Sequence, residues 1–451
     1  MSSFKIQGSC KIKGSISLPG DKSIAHRFVI LSSLSGNTTT INNFPFNDDC
    51  LFTVRAFKSL GTKITQEPQK SRLKIRGVGL KGFKKPAKPI FVGESGTSLR
   101  LLLGVLAGQN FQTKLTCAKS LSQRPMLRVT SPLRKMGAQI SCRKSPQGEE
   151  YLPILIQGHE LIPITYKIPV ASAQVKSAIL LAGLYAQGTT KVIEPVKTRD
   201  HTERLLKAFG AEIKIQSRQV FMKGKKELMS PGLVCVPGDI SSAAFFIVLA
   251  AIIADSRIVL KDVSLNPSRL GIIKVLKRMG ARIKVTSSRS PCLSGRQAVS
   301  RFEPMGNIEV KSSSLRGTVI KKREIPSLID ELPVLMVAAC FARGKSRFEG
   351  VGELRVKETD RINSMQENLR KMNADIQIHQ PAGRQVNSED IVINPVNGLK
   401  GAKVKSFGDH RTAMSMIVAG MAACGTTIID DTNCISKSFP GFLKVLKSII
   451  K

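Results

Sequence analysis

Apolar stretches of helical length recur six times along the chain, and each is preceded by a polar or glycine-rich cluster. After each stretch the chain passes through glycine or other small residues and then becomes β-branched. This change of pattern predicts a helix followed by a strand. A spacing of roughly seventy to ninety residues is too long for a short-repeat solenoid and fits a repeated α/β unit. The six stretches begin at Pro19, Gly93, Pro169, Pro237, Ser327 and Ser406.

The residues ahead of each apolar stretch predict capped helix starts. Gly, Asp, Ser and Thr are N-cap signals there, and a helix start presents free backbone N–H groups and a partial positive charge that suit an anion. One interpretation is that these ends gather around a shared polar centre, and the alternative is that each helix is simply buried. Five of the starts also carry ionisable or amide side chains, namely Lys22 and Arg27, Glu94 and Arg100, Gln174 and Lys176, Asp330, and His410 and Arg411.

A second kind of helix end defines the internal order of each repeat. Five times a helical pattern ends in a large apolar residue, then Gly or Asn, then a small residue and a β-branched run. Gly or Asn at that place is a C-cap signal, and the run that follows predicts a strand. Each repeat is therefore predicted to have the order β-α-β-α-β-β. The five C-cap signals are Gly61, Gly137, Gly210, Gly280 and Asn373.

Length and repeats together predict an α/β fold with two similar domains of three repeats each. A chain of 451 residues exceeds the size at which one hydrophobic core keeps growing. The Pro-Gly-Asp sequences at 19–21 and 237–239 are the predicted crossovers between the domains. The predicted first lobe is discontinuous, with residues 1–20 and 238–451, and the second lobe spans residues 21–237. Two stretches without periodicity, 287–301 and 380–390, are interpreted as exposed loop insertions.

Composition bears on the location of the protein. The hydrophobic content of 42% is ordinary, and no uninterrupted apolar stretch reaches the ~18 residues that would predict a membrane span. The N-terminal segment lacks the apolar region of a secretory signal. The nine cysteines are scattered singly, which favours a reducing cytoplasm over a disulfide framework. No histidine has metal-ligand spacing with Cys or carboxylates, so a metal site is not expected.

The net charge of +38 raises the question of nucleic acid. The basic residues are spread along the whole chain, aromatic residues make up only 5%, and Trp is absent, so the stacking platforms of single-strand binders are missing. Most of the charge is therefore interpreted as solvated surface, and nucleic acid is not an expected partner. An RNA-binding module remains the alternative from a different functional class.

Four basic clusters are candidates for binding small anions. Arginine suits bidentate binding of carboxylate and phosphate, and lysine is a point charge that can also move a proton. The spacing from Lys357 to Arg361 predicts one helical face, and the alternative is an exposed helix with internal ion pairs. The clusters are Lys22–Ser23 with Arg27, Arg124 with Arg128, Lys357 to Arg361, and Asp409 to Arg411.

These clusters lie in motifs that resemble the 5-enolpyruvylshikimate-3-phosphate synthase family from end to end. The motifs include LPGDKSIAHR, QRPMLR, SAQVKSAILLAGL, TRDHTERLL, PGDISSAAFF, IDELPVL, ELRVKETDRI, GDHRTAMS and KSFPGF. The resemblance implies two domains of three βαβαββ units each, with the active site in the interdomain cleft. It also implies a monomer without metal or organic cofactor. In the implied reaction, the 5-hydroxyl of shikimate 3-phosphate adds to C2 of phosphoenolpyruvate, C3 gains a proton, and phosphate leaves.

The resemblance also implies which residues form the site. Positions matching those that hold shikimate 3-phosphate are Lys22, Ser23, Arg27, Ser172, Gln174, Arg199, Asp330 and Lys357. Positions matching those around phosphoenolpyruvate are Lys22, Gly96, Arg124, Gln174, Arg361, Arg411 and Lys437. The implied proton carriers are Asp330 for the hydroxyl and Glu358 for C3, assisted by Lys22 and Lys357, with the half-reaction of each carboxylate left open. Because Gly96 has no Cβ, the phosphoenolpyruvate pocket is expected to admit the slightly longer inhibitor glyphosate.

One departure and two related enzymes qualify the resemblance. Family members usually have Asn where this chain has Glu94, and a carboxylate there opposes anion binding unless it is paired. A degenerate paralogue is therefore one alternative. The sister enzyme, UDP-N-acetylglucosamine enolpyruvyl transferase, is another, and it typically carries a reactive Cys on a mobile loop. Here Cys117 is followed by AKSLSQRPM, which is the shikimate-type pattern.

Overall fold

The computed structural model describes residues 3–8, 11–288, 303–380 and 389–451. Within these stretches the fold is α/β, and the strands form six small sheets. The chain divides into two compact units. Unit 1 comprises the described residues of Met1–Pro19, Gly238–Arg289 and Pro304–Lys451, and unit 2 those of Gly20–Pro237 and Ser290–Glu303. The two stretches interpreted as loop insertions lie largely outside the described residues.

The middle repeat of unit 2 shows the predicted order most simply. Its first two strands are parallel and are joined by a helix, as a parallel connection requires. Its last two strands are antiparallel, and the fourth lies between the second and the third. The prediction of a β-α-β-α-β-β repeat is therefore confirmed here. The elements are β6 (Ile90–Phe91), α3 (Gly96–Leu106), β7 (Gln112–Thr116), α4 (Lys119–Ser122), α5 (Leu127–Lys135), β8 (Gln139–Lys144) and β9 (Glu150–Gln157).

The other two repeats of unit 2 have the same strand order. The last repeat consists of β10 (Thr165–Lys167), α6 (Ala173–Gly183), β11 (Thr189–Ile193), α7 (His201–Ala208), β12 (Ile213–Gln216) and β13 (Gln219–Lys223). The first consists of α1 (Lys22–Leu34), β3 (Thr38–Asn42), α2 (Asp48–Ser59), β4 (Lys63–Glu67) and β5 (Arg72–Arg76), with β14 (Leu233–Cys235) in the place of its first strand.

Unit 1 repeats the pattern with one variation. Its first repeat consists of β2 (Lys13–Ser17), α8 (Ile240–Ile252), β15 (Arg257–Ser264), α9 (Gly271–Arg278), β16 (Arg282–Ser288) and β17 (Met305–Lys311). The second consists of β18 (Val319–Ile320), α10 (Leu332–Cys340), β19 (Ser346–Phe348), α11 (Arg361–Lys371), β20 (Asp375–His379) and β21 (Asp390–Asn394). The third consists of β22 (Lys403–Val404), α12 (His410–Ala422), β23 (Thr426–Ile429) and α13 (Phe442–Ile449), and its three-stranded sheet is completed by β1 (Phe4–Gln7).

Two strands near the crossovers each complete a repeat whose other elements lie far away in the sequence. Strand β2 pairs in parallel with β15, although more than two hundred residues of unit 2 separate them in sequence. Strand β14 pairs in parallel with β3 and so supplies the first strand that the first repeat of unit 2 lacks. The N-terminal strand β1 pairs antiparallel with β23, outside the first repeat.

The five C-cap signals read from the sequence are confirmed. Each lies one residue beyond the C-cap of α2, α5, α7, α9 or α11. All five have positive φ, the left-handed conformation that glycine adopts without steric cost and asparagine tolerates. Their φ angles are 94° for Gly61, 111° for Gly137, 81° for Gly210, 93° for Gly280 and 70° for Asn373.

The first helix of each repeat lies in the core of its unit. Helix α8 is buried from Ile240 to Ala251, and α10 is buried along its whole length. One hydrophobic cluster fills unit 1 and a second fills unit 2. A helix that is apolar all round is a core helix, which explains why these stretches carry little amphipathic pattern. In the described part of the chain, none of the helices has the length and apolarity needed to cross a bilayer.

One cysteine differs from the expectation that the cysteines form no disulfide framework. Cys235 is disulfide-bonded. The free thiols among the described residues are those of Cys50, Cys117, Cys142, Cys340, Cys424 and Cys434.

Candidate functional site

Five of the six predicted helix starts are capped by a side chain. The capping oxygen accepts a hydrogen bond from a backbone N–H two or three residues later, which satisfies one of the free donors of the first turn. Helix α10 is the exception, because Glu331 makes no side-chain cap and Pro333 lies in the first turn. The expectation of six capped helices was therefore wrong for α10. The capping residues are Asp21, Ser95, Ser172, Asp239 and Asp409.

In unit 2, Arg27 is a buried guanidinium held by neutral groups. Its side chain donates to the hydroxyls of Thr202 at 2.6 Å and Ser177 at 2.9 Å, and to the backbone carbonyl of Ser23 at 2.9 Å. Burial lowers the pKa of Arg27 to about 10, and the positive charge of Arg199 acts in the same direction. Ser23 and Arg27 are four residues apart on α1 and so lie on one face of that helix. Arg199 is therefore within electrostatic reach of Arg27, and two cations close together suit the binding of a dianion.

Lys22 lies at the first position of α1 and is paired with an acid. Its Nζ donates to Oδ2 of Asp49 at 2.8 Å, and both side chains are mostly buried. The neighbouring His26 is fully buried, and its Nδ1 is 2.7 Å from the hydroxyl of Thr53. Burial lowers the pKa of His26 well below its ordinary value, and the charges of Lys22 and Arg27 lower it further. At His26 the charges of Lys22 and Arg27 act against the opposing charge of Asp21.

Gly96, Arg124 and Gln174 come together at the start of α3. A Cβ on Gly96 would lie 2.8 Å from Nη1 of Arg100 and 3.4 Å from Nη1 of Arg124. Arg100 Nη1 donates to Oε1 of Gln174 at 2.7 Å, and Gln174 Nε2 donates to the hydroxyl of Thr97 at 2.8 Å. The sequence-derived site set left out Arg100. Its position four residues after Gly96, on the same face of the helix, was the signal that could have included it.

Three further positions of unit 2 lie at or near helix starts. Ser172 caps α6, where its Oγ accepts from the backbone N–H of Val175 at 3.3 Å. Arg199 is partly buried and lies two residues before α7. Glu94 is also partly buried, and it precedes the cap residue of α3 rather than lying in the helix itself. Glu94 therefore lies beside the group around Gly96, as its sequence position predicts.

Cys117 lacks the character of a reactive thiol. It is partly buried, and burial raises its pKa to about 11, although the charges of Arg124 and Arg143 oppose the shift. A thiol with so high a pKa stays protonated at neutral pH, and the thiolate is the nucleophile. This observation counts against the sister enzyme that uses a reactive cysteine.

In unit 1, Arg361 is a buried guanidinium held by carboxylates. Its Nη2 lies 2.6 Å from Oε2 of Glu358, its Nε lies 2.8 Å from Oδ2 of Asp409, and its Nη1 lies 3.5 Å from Oδ1 of Asp330. Burial opposes the charge of Arg361, but the three carboxylates together raise its pKa above the ordinary value. Arg361 therefore holds both predicted proton carriers.

Asp330 has a second cationic neighbour in Arg411. The Nε of Arg411 lies 3.6 Å from Oδ1 of Asp330, and its Nη1 donates to the Asp330 carbonyl at 3.2 Å. Asp409 caps α12 by accepting from the backbone N–H of Arg411 at 2.7 Å, so the predicted helix start at His410 is confirmed. Lys437 Nζ donates to the carbonyl of Gly408 at 2.9 Å, beside the same cap.

The motif from Lys357 to Arg361 does not form one helical face, so that prediction was wrong. Lys357 follows a 3-10 turn over Gly352–Val356, and Asp360 caps α11, which begins at Arg361. The alternative of an exposed helix was also wrong, because Arg361 is only 1% exposed. Burial lowers the pKa of Lys357, the charge of Arg361 acts in the same direction, and Asp330 and Glu358 oppose the shift. Lys357 therefore lies within electrostatic reach of both carboxylates.

The residues implied by the resemblance thus fall into two groups, one in each unit. The group in unit 2 is rich in cations, of which Arg27 has neutral hydrogen-bond partners and Lys22 is paired with Asp49, and it suits anion binding. The group in unit 1 places carboxylates against cations and suits proton transfer as well. The first group contains Lys22, Ser23, Arg27, Gly96, Arg124, Ser172, Gln174 and Arg199. The second contains Asp330, Lys357, Glu358, Arg361, Arg411 and Lys437.

Comparison with known proteins gives one consistent result. The family model described as EPSP synthase (3-phosphoshikimate 1-carboxyvinyltransferase) matches residues 6–446. The 3-phosphoshikimate 1-carboxyvinyltransferase of Desulforamulus reducens is 46% identical over 98% of this chain and 97% of the relative. That of a Geobacter species is 45% identical over 100% of both chains.

Solved structures agree with the sequence comparisons. EPSP synthase from Acinetobacter baumannii is similar with a TM-score of 0.83 and 38% identity, over 100% of this chain and 98% of that one. The enolpyruvyl transferase NikO from Streptomyces tendae has a TM-score of 0.76 at 15% identity, over 100% of this chain and 98% of that one. At that identity the likeness extends to the fold alone.

Proposed function

The chain belongs to the EPSP synthase family, and on that premise we propose how its residues divide the work of the reaction. The enzyme transfers the enolpyruvyl group of phosphoenolpyruvate to the 5-hydroxyl of shikimate 3-phosphate and releases phosphate. This step belongs to the shikimate pathway to chorismate and the aromatic amino acids. Both substrates are anions, so their charges must be matched before any bond can form.

Arg27 leads the group that binds shikimate 3-phosphate. The observation that carries this role is its burial among hydroxyls, because its charge remains available to a ligand. Arg199 adds a second cation close enough to affect the pKa of Arg27. An arginine pair is well suited to a phosphate dianion. The further contacts proposed for this substrate are those of Lys22, Ser23, Ser172, Gln174, Asp330 and Lys357.

Phosphoenolpyruvate is proposed to contact residues of both units. In unit 2 the supporting observation is the close group of Gly96, Arg124 and Gln174, where the absence of a Cβ leaves space beside two guanidiniums. The carboxylate and phosphate of phosphoenolpyruvate call for several cations at once. The full proposed set is Lys22, Gly96, Arg124, Gln174, Arg361, Arg411 and Lys437.

Asp330 and Glu358 are proposed to carry the protons. Asp330 takes the proton of the 5-hydroxyl as its oxygen adds to C2 of phosphoenolpyruvate, and Glu358 delivers a proton to C3. The tetrahedral adduct then expels phosphate, and C3 returns a proton to Glu358 as the double bond forms again. Lys22 and Lys357 assist by stabilising the negative charges of the reacting groups. The support is that Arg361 contacts both carboxylates, which keeps them at a fixed separation.

Phosphate release with both substrates tests this assignment. We expect turnover in the wild type, and a fall in kcat of about 10²- to 10⁴-fold in Asp330→Asn, as removal of a general acid or base commonly causes. Asp375→Asn on β20, an exposed acid of the same unit, serves as the control and should turn over normally. Near-normal kcat in Asp330→Asn would remove Asp330 from the proton-transfer step.

The protein is further proposed to act as a cytoplasmic monomer on small-molecule substrates. Light scattering after size-exclusion chromatography should give the mass of one chain, 49.1 kDa. An RNA mobility-shift assay at low and high salt addresses the alternative raised by the net charge. We expect no salt-sensitive shift at enzyme concentrations that turn over substrate, whereas a specific shift would revive that alternative.

A further inference from the structure

A buried ion-pair cluster in unit 2 has no role in the division of work proposed above. Lys176, in the second turn of α6, is only 1% exposed. Its Nζ lies 3.0 Å from Oε1 of Glu194 and 2.6 Å from Oε1 of Glu203. Both glutamates are also buried. Burying three charged groups is costly unless each is matched, so the arrangement calls for an explanation.

The two buried glutamates of this cluster depend on one shared cation. Burial raises the pKa of Glu203, and the charge of Glu194 raises it further, whereas the ammonium of Lys176 lowers it. The two carboxylates therefore repel each other, and Lys176, which contacts both, offsets that repulsion. Loss of Lys176 leaves both carboxylates buried without this cation, which is strongly destabilising.

The cluster also lies directly beside the two hydroxyls that hold Arg27. Lys176 and Ser177 are neighbours on α6, and Thr202 and Glu203 are neighbours on α7. The hydroxyls of Ser177 and Thr202 are 2.6 Å apart, and both accept hydrogen bonds from Arg27. The ion pair between Lys176 and Glu203 therefore joins the same two helices one residue away from the hydroxyl pair. It fixes the separation of α6 and α7 at the level where Arg27 binds.

Glu194 connects Lys176 to the segment before α7. Its Oε1 accepts a hydrogen bond from the backbone N–H of Thr198 at 3.1 Å and another from the Thr198 hydroxyl. Thr198 immediately precedes Arg199 in the chain. The ammonium of Lys176 therefore holds a carboxylate that in turn fixes the backbone beside Arg199.

We propose that Lys176 is a positioning residue for shikimate 3-phosphate, because it holds α6, α7 and the segment before α7 in the arrangement that aims Arg27 and Arg199 at one anion. The proposal rests on the role proposed above for those two arginines. Lys176 itself is enclosed by the protein and touches no substrate. Its effect should therefore appear in the binding of one substrate rather than in the chemistry.

The variant Lys176→Met tests this role by the pattern of kinetic constants. We expect the KM for shikimate 3-phosphate to rise by at least ~10-fold, since a misplacement of about 1 Å at a positioned group has large effects. The KM for phosphoenolpyruvate should change by less than about threefold, because Gly96 and Arg124 lie on other elements. A merely structural role would reduce the amount of folded enzyme and leave both constants unchanged.

A charge-balancing second substitution provides the rescue. In Lys176→Met with Glu203→Gln, only Glu194 keeps its charge, so the repulsion between the two carboxylates is removed. An ion pair replaced by groups of similar volume is often tolerated, so the KM for shikimate 3-phosphate should return to within about threefold of wild type. An unchanged KM in the single variant, or no recovery in the double variant, would overturn the proposal.

The control variant breaks a comparable ion pair away from Arg27. Arg134, on α5, pairs at 2.9 Å with Glu150, which is 2% exposed. Arg134→Met should lower the Tm, as Lys176→Met does, and leave the KM for shikimate 3-phosphate unchanged. If Arg134→Met raises that KM equally, the effect of Lys176 is one of general stability and the proposal fails.

Two further variants keep the test decisive. Arg27→Lys tests the premise that Arg27 binds shikimate 3-phosphate. An unchanged KM for this substrate in Arg27→Lys would refute the role of Arg27. A raised KM in Arg27→Lys together with a wild-type KM in Lys176→Met would refute only the positioning role of Lys176. If Lys176→Met does not fold, Lys176→Arg replaces it. The guanidinium keeps the charge but needs a different spacing, so the KM for shikimate 3-phosphate should rise at least about threefold. A wild-type KM in Lys176→Arg would then overturn the proposal.

Discussion

Arg27 in unit 2 and Arg361 in unit 1 are both buried guanidiniums near the start of a helix, yet their surroundings are opposite. The hydrogen-bond partners of Arg27 among the described residues are hydroxyls and a backbone carbonyl. The partners of Arg361 are carboxylates of three acidic residues. The pKa of Arg27 is lowered to about 10 by burial, whereas that of Arg361 is raised, because its carboxylate partners outweigh burial.

This difference indicates that the two arginines have different main uses. A guanidinium surrounded by neutral groups keeps its charge for a ligand, so Arg27 is suited to draw an anion into unit 2. A guanidinium shared among carboxylates has little net charge to offer, but it fixes those acids in place. Arg361 therefore contributes mainly by holding Asp330 and Glu358, in addition to its proposed contact with phosphoenolpyruvate. Residue type alone does not distinguish the two uses.

Among the substitutions that test this comparison, the largest loss of activity is expected at Lys22, which lies on α1 together with Arg27. Lys22→Met should lower kcat/KM by at least ~10²-fold, as removal of an electrostatic catalytic group often does. It also leaves Asp49 without the ammonium that lies 2.8 Å away. Steady-state kinetics with both substrates measures the loss, and Lys58→Met, on an exposed part of α2, is the control. Near-normal kinetics in Lys22→Met would remove Lys22 from the substrate-binding group.

The next effect concerns glyphosate and the space at Gly96. We expect glyphosate to compete with phosphoenolpyruvate and Gly96→Ala to weaken it by at least ~10-fold, through crowding in a closely packed site. The fold should be retained, since the new Cβ meets the flexible end of Arg100 at 2.8 Å rather than backbone. Inhibition constants measured against phosphoenolpyruvate check this. Equal sensitivity of the two proteins would place glyphosate elsewhere.

A smaller effect is expected at Glu94, an acid two residues before Gly96. Glu94→Asn should lower the KM for phosphoenolpyruvate by roughly two- to fivefold, the effect of one partly exposed charge. The difference should be larger at low salt, because screening weakens repulsion between exposed charges. Measurements at two salt concentrations test both points. An unchanged or raised KM in the Asn variant would mean that Glu94 is neutralised by a cation.

The smallest effect tests the lowered pKa of buried His26 through stability. The pKa of His26 is lowered in the folded protein by burial and by the charges of Lys22 and Arg27, so the unfolded chain takes up a proton first as the pH falls through 6.5. Stability should therefore fall below that pH, with a slope of up to about 1.4 kcal/mol per pH unit for one proton. His26→Asn keeps a hydrogen-bonding side chain and should flatten the slope. Chemical unfolding between pH 5 and 7 measures it, and equal slopes in both proteins would contradict the lowered pKa.

Local features of the fold could be predicted from the sequence because they depend on neighbouring residues. Gly61 and its four counterparts end helices in the left-handed conformation that the sequence pattern demands. The uncapped start of α10 shows where the local signal fails, since Glu331 makes no side-chain cap there. The crossovers were predicted at the two Pro-Gly-Asp sequences, but the pairing of β2 with β15 and of β14 with β3 could not be, because strand pairing over such a separation leaves no periodic signal in the sequence.

The residues of the candidate site could be predicted from the sequence, but the groups that they contact in the folded protein could not. The motifs predicted that Arg27 and Arg361 matter, and both are buried. Their surroundings come from distant parts of the chain, such as Thr202, which lies 175 positions from Arg27. For the same reason Lys176 was read only as one polar residue at a helix start. Its pairing with Glu194 and Glu203 depends on the packing of α6 against α7.

The central claim is that Arg27 of unit 2 serves mainly to bind shikimate 3-phosphate, whereas Glu358 of unit 1 serves mainly to transfer a proton. Calorimetric titration of shikimate 3-phosphate into Arg27→Gln and Glu358→Gln, together with kcat for each, tests it most directly. The account predicts a Kd raised at least ~10-fold in Arg27→Gln, as loss of a charged hydrogen bond commonly causes. It predicts a Kd within about threefold of wild type in Glu358→Gln, with kcat lowered at least ~10²-fold. Equal loss of binding in both variants, or normal kcat in Glu358→Gln, would contradict the account.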